Sequence, residues 1–268
     1  MKKKVGILGC GWLGAPLALE LAAAGYVVCG TTTRDEKARE MEQQGISMHV
    51  IRLNESGFEG PIKAFLKGLD VLIFNIPPGL RRDSSGNYPV RISHLRKVLE
   101  DVGIPRLIYV SSTSVFGAQG VVDEDTLPLP DSESGKQLLE AERLLATGRP
   151  PYNLLVVRPG GLMGDGRHPV KYLSGKTGLQ GGQDPVNLIH GTDARRILAL
   201  AVNDPEWTGV VHAVYPAHPA KADYYHAQAE SMGLPPPKYQ PSRPNPMAKE
   251  VHSKVLEARE FTWNDPIA

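Results

Sequence analysis

Lys4-Val5-Gly6-Ile7-Leu8-Gly9-Cys10-Gly11-Trp12-Leu13-Gly14, running at once into Ala15-Pro16-Leu17-Ala18-Leu19-Glu20-Leu21-Ala22-Ala23-Ala24-Gly25, decides the fold of this chain. An apolar run, a glycine turn and an Ala/Leu-rich segment read as a buried strand, a tight loop and a helix. Each glycine has a mechanical task. Gly9 permits the turn, Gly11 lets backbone approach a pyrophosphate, and Gly14 lets the helix pack closely on the strand. A pyrophosphate would rest on the amides at the helix start, where N–H donors and the helix dipole favour an anion. The stretch therefore points to a bound dinucleotide, with Gly9, Gly11, Trp12, Leu13 and Gly14 around it. A turn with a purely structural job is the competing reading, and the strand before and helix after weigh against it.

Outward from this motif, strand and helix alternate. Strands are expected at Tyr26–Gly30, Ser47–Ile51, Asp70–Asn75, Arg106–Val110 and Tyr152–Val157, with helices over Asp35–Gln44, Asn87–Asp101 and Glu133–Ala146. That order argues for an α/β fold, a Rossmann-type doubly wound parallel sheet. Residues 1–160 are expected to form the cofactor domain, and residues 161–268 a smaller substrate-binding lobe interleaved with the last sheet strands. In the lobe, Gly209–Tyr215 reads as a strand, Ala194–Val202 and Ala222–Met232 as helices, and the proline-rich stretch from Pro235 to Pro246 as an extended connector.

Composition narrows the function. A chain of 268 residues can bury a large core, and a net charge of +1 leaves no basic footprint for nucleic acid. No run is long and apolar enough to span a membrane, so a cytoplasmic protein is expected. Two cysteines, Cys10 and Cys29, cannot build a disulfide framework. Cys10, at a helix start, reads either as a thiol of lowered pKa or, preferred here, as a small residue filling a tight loop. Asp123, Glu124 and Asp125 read as a solvated acidic loop, and no metal site is expected. Arg81 and Arg82 suit closure over an anionic ligand or plain loop solubility equally well.

Ligands in such sheets lie beyond the C-terminal strand ends, which directs attention to Thr33, Arg34, Asn75, Pro77 and Ser111 as cofactor-binding residues. After the second strand the chain reads Thr31-Thr32-Thr33-Arg34. An NAD site usually places an acid near Thr32 to hold the ribose hydroxyls, whereas an arginine accommodates the extra phosphate of NADP. NADP is therefore favoured over NAD; Asp35 is an alternative ribose ligand but is better placed as the N-cap or a first-turn acid of the next helix.

Val110-Ser111-Ser112-Thr113-Ser114-Val115-Phe116-Gly117 and Arg158-Pro159-Gly160-Gly161-Leu162-Met163-Gly164-Asp165-Gly166-Arg167 follow the next two strands. Here the chain resembles the extended short-chain dehydrogenase/reductase family, the NAD(P)-dependent epimerases and dehydratases. The resemblance runs from the N-terminus to about Asp193. It implies a catalytic hydroxyl at Ser112 and puts Phe116 where the family usually has tyrosine. The family's Tyr-x-x-x-Lys dyad is missing. Aligned on Leu-Glu-Ala-Glu, its tyrosine falls on Ser134 and its lysine on Leu138; shifting the frame to Ser132 restores a lysine, Lys136, but no phenol. The family's chemistry needs a phenol made more acidic by a nearby ammonium, and neither frame rebuilds it.

Gly-Cys-Gly-Trp-Leu-Gly at the start, Asn75-Ile76-Pro77-Pro78-Gly79 and Pro185-Val186-Asn187-Leu188-Ile189-His190 are similar to the atypical subgroup called YeeZ-like. On that basis the candidate catalytic set is Ser112, Ser134, Lys136 and His168, with Arg167, Asn187 and His190 at the substrate. For His190 and Asn187 the alternative is a loop-holding role by hydrogen bonds. Lys254–Trp263 resembles the segment that closes the subgroup's small lobe, with Phe261 and Trp263 as apolar anchors. The resemblance also implies a homodimer. Leu138, Leu139, Leu144 and Leu145 suit that surface, or simply the core. The leading reading is an NADP-dependent oxidoreductase or epimerase/dehydratase on a small polar carbonyl or sugar-like substrate, with a proton donor other than tyrosine. A non-catalytic NAD(P)-binding redox-sensing or regulatory protein is the second, and a scaffold without cofactor the third.

Overall fold

The computed structural model describes residues 2–79, 86–148, 150–164 and 166–267, so Arg81, Arg82 and Asp165 lie outside the described residues. The opening motif folds as its residue types dictate. β1 (Lys4–Leu8) is buried on both faces and α1 (Gly14–Ala23) turns Leu17, Ala18 and Leu21 inward. The chain continues through β2 (Val27–Thr32), α2 (Asp35–Gln43), β3 (Ser47–Val50), a hairpin of β4 (Arg52–Asn54) and β5 (Gly57–Glu59), α3 (Ile62–Leu66), β6 (Val71–Phe74), α4 (Tyr88–Val102) and β7 (Arg106–Val110). Next come β8 (Val121–Val122), α5 (Glu133–Ala146), β9 (Asn153–Pro159), β10 (Gly161–Met163), α6 (Val170–Leu173), β11 (Leu188–His190) and α7 (Gly191–Asn203). β12 (Gly209–Ala213), α8 (Lys221–Ser231), β13 (Glu250–Val251) and α9 (Lys254–Ala258) finish the order.

The central sheet has seven strands in the order β12-β9-β7-β6-β1-β2-β3, and β1, β2, β3, β6, β7 and β9 run parallel to their partners. Strand order reverses between β1 and β6, the crevice where doubly wound sheets take ligands. β6 is a fully buried apolar run and β7 is buried throughout, with Arg106 at its start followed by an apolar stretch, as strands covered on both faces must be. The expected α/β doubly wound fold is what the chain adopts. The hairpin β4–β5, α3 and the short strands β8, β10, β11 and β13 were not expected, because elements of two to five residues carry too little periodicity to stand out.

The chain forms two compact units that interleave along it. One comprises Met1–Ser111, Glu133–Val157 and Ile197–Val210; the other Ser112–Ser132, Arg158–Arg196 and Val211–Ala268. The first is pinned at β7 by Arg106, 3% exposed, whose guanidinium donates to the carbonyls of Ala201, Pro205 and Trp207. Leu138, Leu139 and Leu145 are buried within this unit, which accounts for their apolar character by core packing. The second has its own core around Val170, Leu188, Tyr224, Tyr225 and Ile267. Among the described residues no helix is long and apolar enough to cross a membrane.

Glu124 of the supposed solvated loop turns out to be a joint of the second unit. Its carboxylate accepts from His212 N, Ser253 Oγ and Lys254 N, while Asp123 and Asp125 pair with Lys254. The hydrogen bond from Lys254 holds the Asp123 carboxyl below its ordinary range. Phe261 and Trp263, both half-buried, meet edge to face at 4.9 Å, and Trp263 meets Tyr215 at 5.4 Å.

Candidate functional site

β1 delivers the glycine turn to the reversal point of the sheet. Gly9 sits at φ +113°, and a Cβ there would lie 2.7 Å from Asn75 O. Only glycine adopts that backbone without strain. A Cβ on Gly14 would meet Gly9 O at 2.4 Å, so the missing side chain is what lets α1 press against the turn. Gly11 differs: its Cβ would meet no described atom within 4 Å. The loop is braced from behind, by Thr31 Oγ1 accepting from Gly9 N, Thr31 O from Cys10 N, and Asn75 Nδ2 donating to Gly9 O. Thus Asn75 holds the loop's shape, and exposed Pro77 follows it.

At the start of α1, Leu13 occupies the cap position with no side-chain hydrogen bond to the helix amides. Those donors and the helix dipole suit an anion, so the turn fits a dinucleotide pyrophosphate. Cys10 is 4% exposed and its Sγ lies 3.8 Å from Ile7 O. Burial pushes its thiol up to about 12, which removes the reading of an activated thiol and leaves the loop-filling one. At the end of β2, Thr33 and Arg34 are exposed, and Arg52 of β4 donates to Thr33 O at 2.9 Å. Two guanidinium-bearing residues therefore stand beside the position where NAD sites carry an acid.

Ser111 is buried and spent inside the first unit: its hydroxyl donates to Glu142 Oε1 of α5 at 2.5 Å. On the same helix Ser134 is half-buried, Lys136 exposed and Leu138 buried at 4%. Leu138, which one frame of the resemblance sets at the dyad's lysine, is thus packed in the core.

In the second unit Ser112 precedes a short 3-10 turn (Thr113–Val115), and its Oγ accepts from Ser114 N at 3.1 Å. Phe116 is buried under the Arg158 guanidinium, 5.3 Å from the ring centre. A cavity of about 600 Å³ in this unit brings together Arg167, His168, Lys171, His190 and Asp265 beside apolar Met232. Ser112 and Asn187 do not line it. Asn187 instead clamps β13, donating to Lys249 O and accepting from Val251 N.

The two histidines of the cavity differ. His168 Nδ1 accepts from Val170 N, and its Nε2 donates to Tyr224 Oη, which itself donates to Ile267 O. Both ring atoms are engaged, and burial lowers its pKa. His190 has 19% of its side chain exposed; its Nδ1 accepts from Thr192 N at 3.3 Å and stands 3.7 Å from Asp265 Oδ2. Its Nε2 abuts Gly164, where a Cβ would lie 2.1 Å away, so a glycine at φ +106° is required for the ring to lie there. Sequence reading missed Asp265 and Tyr224, which lie 75 and 56 positions from their histidine partners and carry no motif.

Residues 4–82 match the NAD binding domain of 6-phosphogluconate dehydrogenase. Over 269 aligned residues, 98% of this chain and 97% of the relative, the sequence is 34% identical to Protein YeeZ of Escherichia coli strain K12. In shape it is similar to MoeE5 in complex with UDP-glucose and NAD, with a TM-score of 0.76 at 22% identity over 98% of this chain and 94% of that one. It is also similar to the UDP-Glc/GlcNAc 4-epimerase from Campylobacter jejuni, with a TM-score of 0.81 at 14% identity over 99% and 95% of the two chains. At these identities both structures speak for the fold alone.

Proposed function

Since this chain belongs to the YeeZ family, we propose that it is a member of the NAD(P)-dependent epimerase/dehydratase superfamily, an NADP-dependent oxidoreductase or epimerase acting on a small polar carbonyl or sugar-like substrate that carries an anionic group. The observation that carries this reading is the glycine turn, closed behind by Asn75 and Thr31 and clear in front of Gly11. Gly9, Gly11, Trp12, Leu13 and Gly14 would hold the pyrophosphate, and Arg34 with Arg52 the ribose phosphate. When bound, the nicotinamide supplies or accepts a hydride.

The remaining chemistry falls to the cavity of the second unit. Arg167 and Lys171 give it positive charge suited to a phosphate or carboxylate. His190 takes the part of the missing phenol: its Nδ1 lone pair is held by the Thr192 amide, so the ring carries its proton on Nε2, from which it donates to a substrate oxygen, with the Asp265 carboxylate 3.7 Å from Nδ1. His168, engaged on both nitrogens, positions the wall of the cavity.

Titration of the full chain with NADPH and NADH, followed by a screen of carbonyl and nucleotide-sugar compounds for hydride transfer, tests the proposal. NADPH is expected to bind more tightly, and His190→Gln to lose turnover while keeping NADPH binding. One feature favours a second reading, a non-catalytic NADP-binding sensor: the dyad lysine is replaced by buried Leu138. NADPH that binds but transfers its hydride to nothing supports that reading and overturns the first.

A further inference from the structure

Away from the cavity and the glycine turn, two segments of the second unit bring three metal-ligating side chains to one spot. Glu250 and His252 stand two positions apart on the extended segment of β13, so both leave the same face, while Val251 between them is buried. His218 arrives from the loop between β12 and α8, its ring centre 4.9 Å from that of His252. One ligating atom from each of the three lies within 4.8 Å of the other two, and His252 Nε2 is 2.8 Å from Glu250 Oε1.

The ring of His218 is oriented from behind. Its Nδ1 lies 2.9 Å from Val186 O, and only an N–H can face a carbonyl at that distance, so Nδ1 carries the proton and Nε2 keeps its lone pair. That Nε2 is buried and has no hydrogen-bond partner among the described residues. An unpaired buried acceptor is uncommon in folded proteins. A backbone carbonyl behind an imidazole is the usual outer support of a metal-bound histidine. The neighbouring ammonium groups are turned elsewhere: Lys249 donates to Thr113 O and Phe116 O, and Lys221 pairs with Asp184.

We propose that His218 Nε2, His252 and Glu250 bind one divalent cation of the zinc class, with a fourth position left for water or a ligand. Two imidazoles and a carboxylate are the donor set of open, three-ligand zinc sites. Bonds of about 2.0–2.2 Å in tetrahedral geometry put ligand atoms roughly 3.3–3.6 Å apart, so side-chain rotations of about an ångström close the site. The ion replaces the proton between His252 and Glu250 and ties the two-residue strand β13 to the loop after β12.

Isothermal titration of the full chain, first dialysed against chelator, with zinc chloride tests this. One equivalent is expected to bind and to raise the melting temperature. His218→Gln and His252→Gln should each weaken binding at least tenfold, while His226→Gln, in an exposed pair with Glu230, leaves it unchanged. Glu250→Gln, close to isosteric, provides the reading if a histidine variant is unfolded by circular dichroism, and is also expected to lose tenfold or more. Cobalt should give the intense visible bands of a four-coordinate ion. Absence of binding, or zinc affinity unchanged in Glu250→Gln and in the folded histidine variants, overturns the assignment.

Discussion

Gly11→Ala separates the cofactor role of the glycine turn from its structural one. The added methyl meets no described atom within 4 Å, and φ at this residue is not positive. The free protein should therefore lose no more than about 0.5 kcal/mol, as a surface substitution does. For a chain of this size that is about 1–2 °C in Tm. Cofactor affinity should respond differently, because the methyl enters the space a pyrophosphate would fill. Overpacking a close contact costs roughly 1–3 kcal/mol, or about 5- to 150-fold in Kd. Gly9→Ala is the counterpart: its φ of +113° and a Cβ 2.7 Å from Asn75 O act on the fold itself. It should cost about 1–3 kcal/mol with no cofactor present. Thermal melts of both variants without ligand, followed by fluorescence titration with NADPH, make the comparison. If Gly11→Ala binds NADPH as tightly as the parent chain, or if it melts as low as Gly9→Ala, the cradle has been misread.

Arg34→Ala should weaken NADPH by about 10- to 100-fold, the loss of charge-assisted hydrogen bonds worth roughly 1.5–3 kcal/mol, and leave NADH unchanged; equal losses for both would refute the ribose-phosphate role. Arg106→Met should lower stability by about 3 kcal/mol or more in urea melts, because three interior carbonyls lose their donor at about 1–3 kcal/mol each; a loss below about 1 kcal/mol would show water taking over. Burial lowers the His168 pKa below its ordinary 6.5, so the unfolded chain takes up a proton that the folded one resists. Its contribution is full above pH 6.5 and declines as pH falls from there toward the folded-state pKa. His218, lowered by burial in the same direction, adds to the decline, and His168→Gln should leave a shallower slope of stability as pH falls below 6.5. A slope below pH 6.5 unchanged by that substitution would place the titration elsewhere.

Much of the first unit was legible because its signals are local. Gly9, Gly11 and Gly14 lie within six residues, β6 and the Leu107–Val110 stretch of β7 are apolar runs, and α5 matches its expected span of Glu133–Ala146. The second unit was far less so. Its strands are two or three residues long, too short for a period to register, and its partners are remote in sequence: Glu124 with Ser253 and Lys254, His190 with Asp265, His218 with Glu250 and His252. Residue type also misled where tertiary contacts reassigned it. Glu124 looked like a solvated acid and is a joint. Ser111 looked available to ligands and is spent on Glu142, while Asn187 takes the hydrogen-bonding role weighed for it, on Lys249 and β13.

By itself, the amino-acid order determined the doubly wound fold and the dinucleotide turn, since both follow from backbone permissiveness and apolar periodicity over neighbouring residues. Which histidine faces a cavity and which is satisfied within the core was decided only in three dimensions. A proton's place on an imidazole depends on the donor or acceptor opposite each nitrogen, and those partners come from segments tens of residues away.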